Sequence, residues 1–249
     1  MSSSRGSIVI GGSSGVGRAL VQQLAMRGDK VLAIAREFRD LEALRRDCEL
    51  RYGATIHIMA VDVAATDFDP IAFANTCIGT LGAASQLYIP LGAIHADDQG
   101  ASTVELIEQL ATINFLRPAQ ILNSFCTHFA ASGGGHAMVF TSIATAAPRG
   151  NNAAYAAAKA GLEFYCRALQ HHFADSKVII QICALGYVDT TMSFGMKLLF
   201  PIASPGAVAR FALRMNESRK RFAYFPRFWW PVTSLLKMLP WPVYKRLHF

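Results

Sequence analysis

The sequence predicts an α/β chain built on a doubly wound, open parallel sheet with helices on both faces, a three-layer α/β/α arrangement. Three observations predict it. Short runs rich in Val and Ile recur along the chain, segments of helical length separate them, and the first run leads directly into a cluster of glycines. Branched apolar runs without alternation suit strands covered on both faces. Their alternation with helical segments implies βαβ units and a parallel sheet. The strands are SIVI at 7–10, KVLAIA at 30–35, TIHIMAVD at 55–62, QLYIPLG at 86–92, HAMVFTS at 136–142 and KVIIQICA at 177–184, with RFAYF at 221–225 as a possible seventh. Helices are expected over 15–28, 41–52, 70–81, 102–130 and 152–174. An eight-stranded closed barrel has a similar length, but the strand count favours the open sheet. The stretch ASGGGHA at 131–137 reads as a chain reversal between helix and strand.

The chain has 249 residues, 52% hydrophobic and 16% charged, a balance that supports a sizeable core. One catalytic domain is expected over 1–215, including a substrate loop at about 190–206, followed by an extension over 216–249 that is no independent domain. The opening hexapeptide is polar and the apolar run after it stops at Ile10, so no signal peptide is expected. Cys48, Cys77, Cys126, Cys166 and Cys183 are scattered and form no C-x-x-C pair. They read as buried thiols of a protein in the reducing cytoplasm, with neither a disulfide framework nor a metal site. The adjacent His171 and His172 likewise lack metal-ligand spacing. The net charge of +7 is unevenly spread: residues 210–249 hold nine Lys+Arg against one Asp+Glu, and the remainder is close to neutral. That distribution argues against a nucleic-acid-tracking face.

Each glycine loses more backbone entropy on folding than any other residue, so a glycine-rich turn needs a reason. The pattern is Gly11-x-x-x-Gly15-x-Gly17, with Ser13, Ser14 and Val16 completing the turn and a helix starting near Gly15. In an open parallel sheet the first strand-to-helix turn is where a dinucleotide's phosphates meet bare backbone amides. No Gly-Lys-Ser/Thr follows, so the turn is not a P-loop. At the end of the second strand, Arg36 could pair with a 2′-phosphate through its planar fork, whereas Glu37 could serve an unphosphorylated ribose. The arginine favours NADP over NAD.

The segment TSIATAAPRGNNAAYAAAKAG, residues 141–161, carries the chemistry. Tyr155 and Lys159 are four apart in an alanine-rich helix, which stacks them on one face. A free tyrosine titrates near 10, too high for easy proton exchange at neutral pH, and a nearby ammonium lowers it. Ser142, at the end of the preceding strand, is placed to hold a substrate oxygen.

From Ser7 to about Met215 the sequence resembles the short-chain dehydrogenase/reductase family. The resemblance rests on the glycine turn, VDV at 61–63, Asn114 in INFLRPAQ, Ser142, YAAAK at 155–159 and GYVDT at 186–190. It implies a Rossmann-like fold and an oxidoreductase that interconverts a carbonyl and an alcohol. In that likeness Tyr155 protonates the carbonyl oxygen, Lys159 binds the nicotinamide ribose and lowers the tyrosine pKa, Ser142 positions the carbonyl, and Asn114 holds a water of the proton relay. Asp62 and Val63 would contact the adenine, Gly92 would line the cofactor cleft, and Val188 and Thr190 would contact the carboxamide. The resemblance also makes the alanine-rich helix a candidate subunit interface, hence a homo-oligomer. Three positions depart from the family pattern. Ile10 replaces a threonine, Ile89-Pro90-Leu91-Gly92 replaces Asn-Asn-Ala-Gly, and Leu185 replaces a proline. Ile and Pro side chains cannot make the hydrogen bonds that stiffen the cleft there.

The segment GMKLLFPIASPG at 195–206 is apolar, which suggests a small lipophilic substrate. The tail combines Trp229, Trp230 and Trp241 with the surplus of Lys and Arg, a composition suited to peripheral contact with a membrane surface. Its prolines and Lys237 interrupt it too often for a membrane span. Packing over the pocket or against a sister subunit is the other reading. Two further functions stay open: a catalytically silent cofactor-binding regulator or scaffold, and a peripheral lipid-surface binding protein.

Overall fold

The computed structural model describes residues 5–148, 150–193 and 200–246. Residues 194–199 of the expected substrate loop lie outside the described residues. Seven strands form one sheet: β1 (Gly6–Ile10), β2 (Lys30–Ala35), β3 (Ile56–Ala60), β4 (Gln86–Ile89), β5 (Gly135–Ser142), β6 (Val178–Leu185) and β7 (Phe222–Phe225). Their order is β3-β2-β1-β4-β5-β6-β7, and every pairing is parallel. The chain winds outward from β1 in one direction and from β4 in the other, so the crevice above the carboxyl ends of these two strands is the switch point where such sheets take ligands.

Side chains alternate across each strand and divide the core into two layers. Ile8 and Ile10 of β1 face a cluster with Phe73, Phe125, Phe129 and Leu162. These come from α3 (Pro70–Leu81), α5 (Arg117–Ala131) and α6 (Ala153–His172). Val9 points the other way, into a cluster with Leu20, Leu24, Leu41 and Val208. These belong to α1 (Gly15–Met26), α2 (Phe38–Tyr52) and α7 (Pro205–Glu217). Each fully buried side chain of this size contributes roughly 1.5–3 kcal/mol, which is why the sheet tolerates so few polar residues in its middle.

Several boundaries differ from the sequence expectation for local reasons. β3 ends at Ala60 because Asp62 turns the chain, its carboxylate accepting the Ala64 N–H at 2.9 Å. β4 stops at Ile89, since Pro90 has no N–H for the ladder. The single helix expected over 102–130 is divided into α4 (Val104–Ala111), a wide π-turn over Thr112–Leu116, and α5. Pro118 lacks the N–H that an α-helix would return to the Asn114 carbonyl, and the turn widens just before it. Helix α7 was not expected at all, although Ser204 caps it by accepting the Ala207 N–H and Pro205 occupies its first turn.

The seventh strand is real, with Ile182 beside Phe222 and Leu185 beside Phe225. After it come α8 (Trp229–Met238) and α9 (Trp241–Tyr244). Trp229 is buried and meets Tyr187 edge-on at 5.7 Å between ring centroids and Phe200 at 4.7 Å. Helix α8 rests on the 3-10 turn Ile143–Ala146, and the Tyr244 hydroxyl donates to the Pro148 carbonyl. The extension is therefore built into the same body as the sheet.

Candidate active site

The turn after β1 shows what its glycines do. Gly11 has φ of 94° and Gly15 of 47°, conformations that side chains disfavour. The N–H groups of Gly11 and Gly12 both donate to the Ile34 carbonyl at 2.8 Å, drawing the turn against β2. Gly17 acts differently. A Cβ there would lie 1.9 Å from the Gly11 carbonyl oxygen, so its bare Cα allows α1 to start directly against the turn. Ser14 precedes α1 without a side-chain cap, which leaves the amides of the first turn open to a ligand at the positive end of the helix.

Above the carboxyl ends of the strands lies a cavity of about 870 Å³. In the order of the sheet it runs from Arg36, Asp62 and Val63 past Gly11, Ser13, Ser14, Gly15 and Val16 to Gly92, then to Ser142, Tyr155 and Lys159, and finally to Val188 and Thr190. All of these sequence-predicted residues share this one cavity. Gly17 and Asn114 stand behind its wall. Arg36 is exposed and has no ion pair or hydrogen-bond partner among the described residues.

Lys159 is buried, and its Nζ donates to the Leu91 carbonyl at 2.6 Å and the Phe140 carbonyl at 3.1 Å. Burial pushes the amine down to about 8, while the two carbonyl acceptors favour the charged form, so it remains an ammonium at neutral pH. The chain at Leu91 thus contributes a backbone oxygen to the site, independent of its side chain. Gly92 leaves the approach open, for a Cβ there would come within 3.3 Å of both Lys159 Nζ and Asn114 Oδ1. The Asn114 side chain is fully engaged: Oδ1 accepts the Ala93 N–H at 3.0 Å, and Nδ2 donates to the Ala93 carbonyl at 2.9 Å and the Leu110 carbonyl at 3.0 Å. Pro118 deprives the Asn114 main-chain carbonyl of its α-helical donor.

Ser142 closes β5. Its Oγ accepts the Ala144 N–H at 3.1 Å, which orients the hydroxyl and leaves its proton to give. Tyr155 sits half-buried in the first turn of α6, on the same face as Lys159. That helix does not cap itself, since Asn152 takes a left-handed φ of 59° and makes no side-chain cap. Asp98, fully buried, does it from a distant loop. Its carboxylate accepts the Ala154 and Tyr155 N–H groups at 3.0 Å each, and its carbonyl accepts the Asn152 N–H at 2.6 Å. Sequence reasoning missed Asp98, because nothing local links residue 98 to residue 155.

Trp229 was also missed as a site residue. A Cβ on Gly186 would lie 1.9 Å from the indole Nε1, and Gly186 and Tyr187 both line the cavity. The extension therefore backs the wall that carries Leu185, Val188 and Thr190. Among the described residues no group of three or more His, Cys, Asp and Glu could hold a metal. The five cysteines are free and buried, and burial raises every thiol.

The family model described as short chain dehydrogenase matches residues 7–197. An uncharacterized oxidoreductase of Mycobacterium tuberculosis is 28% identical over 255 residues, covering 96% of each chain. Among solved structures, the bulky-bulky ketone specific alcohol dehydrogenase from Comamonas testosteroni superposes with a TM-score of 0.78 at 17% identity, covering 95% of each chain. A short-chain dehydrogenase from Sphingobium yanoikuyae in complex with NADPH gives 0.77 at 18% identity, covering 98% of this chain and 96% of that one.

Proposed function

This chain belongs to the short-chain dehydrogenase family, and from that premise we propose that it interconverts a carbonyl and an alcohol with NADP on a lipophilic substrate. The observation that carries the reading is the convergence of Ser142, Tyr155 and a buried, carbonyl-held Lys159 on one cavity, in line with an uncapped helix N-terminus. The residues fit a dinucleotide. Gly11 and Gly15 hold conformations that keep side chains out of the cradle, the α1 amides open toward a pyrophosphate, and Asp62 and Val63 line the adenine end. When bound, the nicotinamide supplies or accepts the hydride. Unpaired Arg36 at the end of β2 supports the choice of NADP, because its guanidinium matches a 2′-phosphate.

In the reductive direction Ser142 donates its hydroxyl proton as a hydrogen bond to the substrate carbonyl oxygen. Tyr155 transfers its phenolic proton to that oxygen. The Lys159 ammonium stabilises the phenolate left behind, a stabilisation strengthened by the low dielectric of a buried site. A water on the Asn114 main-chain carbonyl returns the proton from solvent. Leu185, Tyr187, Met192 and Ile94 give the cavity wall its apolar character and support a lipophilic substrate.

Tyr155→Phe is the test. With a panel of hydrophobic ketones and aldehydes, turnover is expected to fall about 100- to 10,000-fold. Fluorescence titration should show NADPH binding unchanged and tighter than NADH binding. Turnover retained by the variant would refute the assigned acid, and equal affinity for the two dinucleotides would refute the role given to Arg36.

A further inference from the structure

We propose that the outer face of the C-terminal extension is a docking surface for an anionic lipid bilayer. Helix α8 is apolar on both sides. Its inner face, with Trp229 and Thr233, is buried. Its outer face presents Trp230, Leu235 and Met238, and α9 continues it with Trp241 and Val243, all exposed. Of the exposed large apolar side chains among the described residues, half lie within residues 200–243. Isolated exposed apolar residues are ordinary on a protein surface, but a contiguous cluster marks an interaction site.

The charge around this face identifies the occupant. From Ser218 to Phe249 the sequence has seven Lys and Arg residues and no Asp or Glu. Lys237 on α8, and Lys245 and Arg246 directly after α9, are exposed. A second copy of the chain would set cations against cations, which disfavours self-pairing through this face. Tryptophan and basic residues flanking an apolar surface match the headgroup level of a bilayer with anionic lipids. No helix among the described residues is long and apolar enough to cross a membrane, and the proposed contact is a peripheral one.

The surface is rigidly placed. Thr233 donates its hydroxyl to the Trp229 carbonyl at 2.7 Å, Trp229 lies under Gly186, and Tyr244 donates to the Pro148 carbonyl. Gly186 lines the cavity, so the proposed lipid-facing surface stands directly behind the cavity wall. Docking itself does not rest on the proposed reaction, and its test needs no turnover.

The full chain is sedimented with vesicles of phosphatidylcholine alone and with vesicles containing phosphatidylserine. It is expected to pellet with the anionic vesicles and much less with the neutral ones, and added salt should release it. The triple variant Trp230→Ser, Leu235→Ser, Met238→Ser and the triple variant Lys237→Glu, Lys245→Glu, Arg246→Glu should each lose binding, with about fivefold weaker partitioning for each cation removed. All six side chains point to solvent, and unchanged melting temperatures will show that the variants fold. Absence of anionic-vesicle binding by the unaltered chain, binding that ignores lipid charge, or undiminished binding by both variants overturns the proposal. So does a lipid-free, concentration-dependent dimer abolished by the same substitutions, which would assign the face to a second copy.

Discussion

The junction of β1 with α1 and the turn after β6 each contain a glycine whose missing Cβ makes room for an atom that a Cβ would meet at 1.9 Å, yet the neighbours differ in kind. At Gly17, in the first turn of α1, the obstacle is the carbonyl oxygen of Gly11, backbone of the turn that leads into the helix. At Gly186 it is the indole of Trp229, a side chain delivered by the extension. The first closeness is a property of a short stretch of chain and leaves the spacing Gly11, Gly15, Gly17 as its signature. The second exists only because β7 pairs with β6 and brings α8 over the strand ends. A backbone obstacle cannot retreat without rebuilding β1 and α1, whereas an indole can rotate or be replaced.

That difference sets the order of expected effects. Gly17→Ala should be the most damaging, costing about 3 kcal/mol or more by overpacking. This corresponds to a melting temperature lower by ~6–12 °C, with dinucleotide binding lost as α1 is pushed off the turn. An unaltered melting curve would mean that α1 does not start against Gly11. Gly186→Ala should cost less, about 1–3 kcal/mol, because the strain falls on a side chain. Combining it with Trp229→Leu should destabilise by less than the sum of the two single changes, with a coupling of about 0.5–3 kcal/mol in a double-mutant cycle. Strict additivity would show that the extension does not buttress this turn.

The smallest effect is expected at Asp98, which joins neither turn but fixes the helix between them. Asp98→Ala removes the acceptor for two α6 amides and should cost about 1–2 kcal/mol. Asp98→Asn, keeping one acceptor oxygen, should recover part of that. Because these amides include that of Tyr155 itself, kcat should fall in Asp98→Ala more than NADPH affinity does. An equal loss in both would reduce Asp98 to general stability.

The elements that were legible in the sequence are those whose cause is local. Val- and Ile-rich runs mark strands buried on both sides, and six such runs are strands within a few residues of their expected limits. The misread helix over 102–130 had its warning in Pro118, one turn beyond Asn114, and unexpected α7 had its own in Ser204-Pro205.

By itself the sequence determined the layered α/β architecture, the glycine turn and the placing of Tyr155 and Lys159 one turn apart on one helix, because strand period, tight turns and one helical turn all act over a few residues. Only the tertiary structure decided that Leu91 and Phe140 hold Lys159, that Asp98 caps the helix of Tyr155, that Trp229 backs Gly186, and which face of α8 looks outward. Those contacts join residues far apart in the chain. No local spacing records them, since they form only when strand order and layer packing bring the segments together.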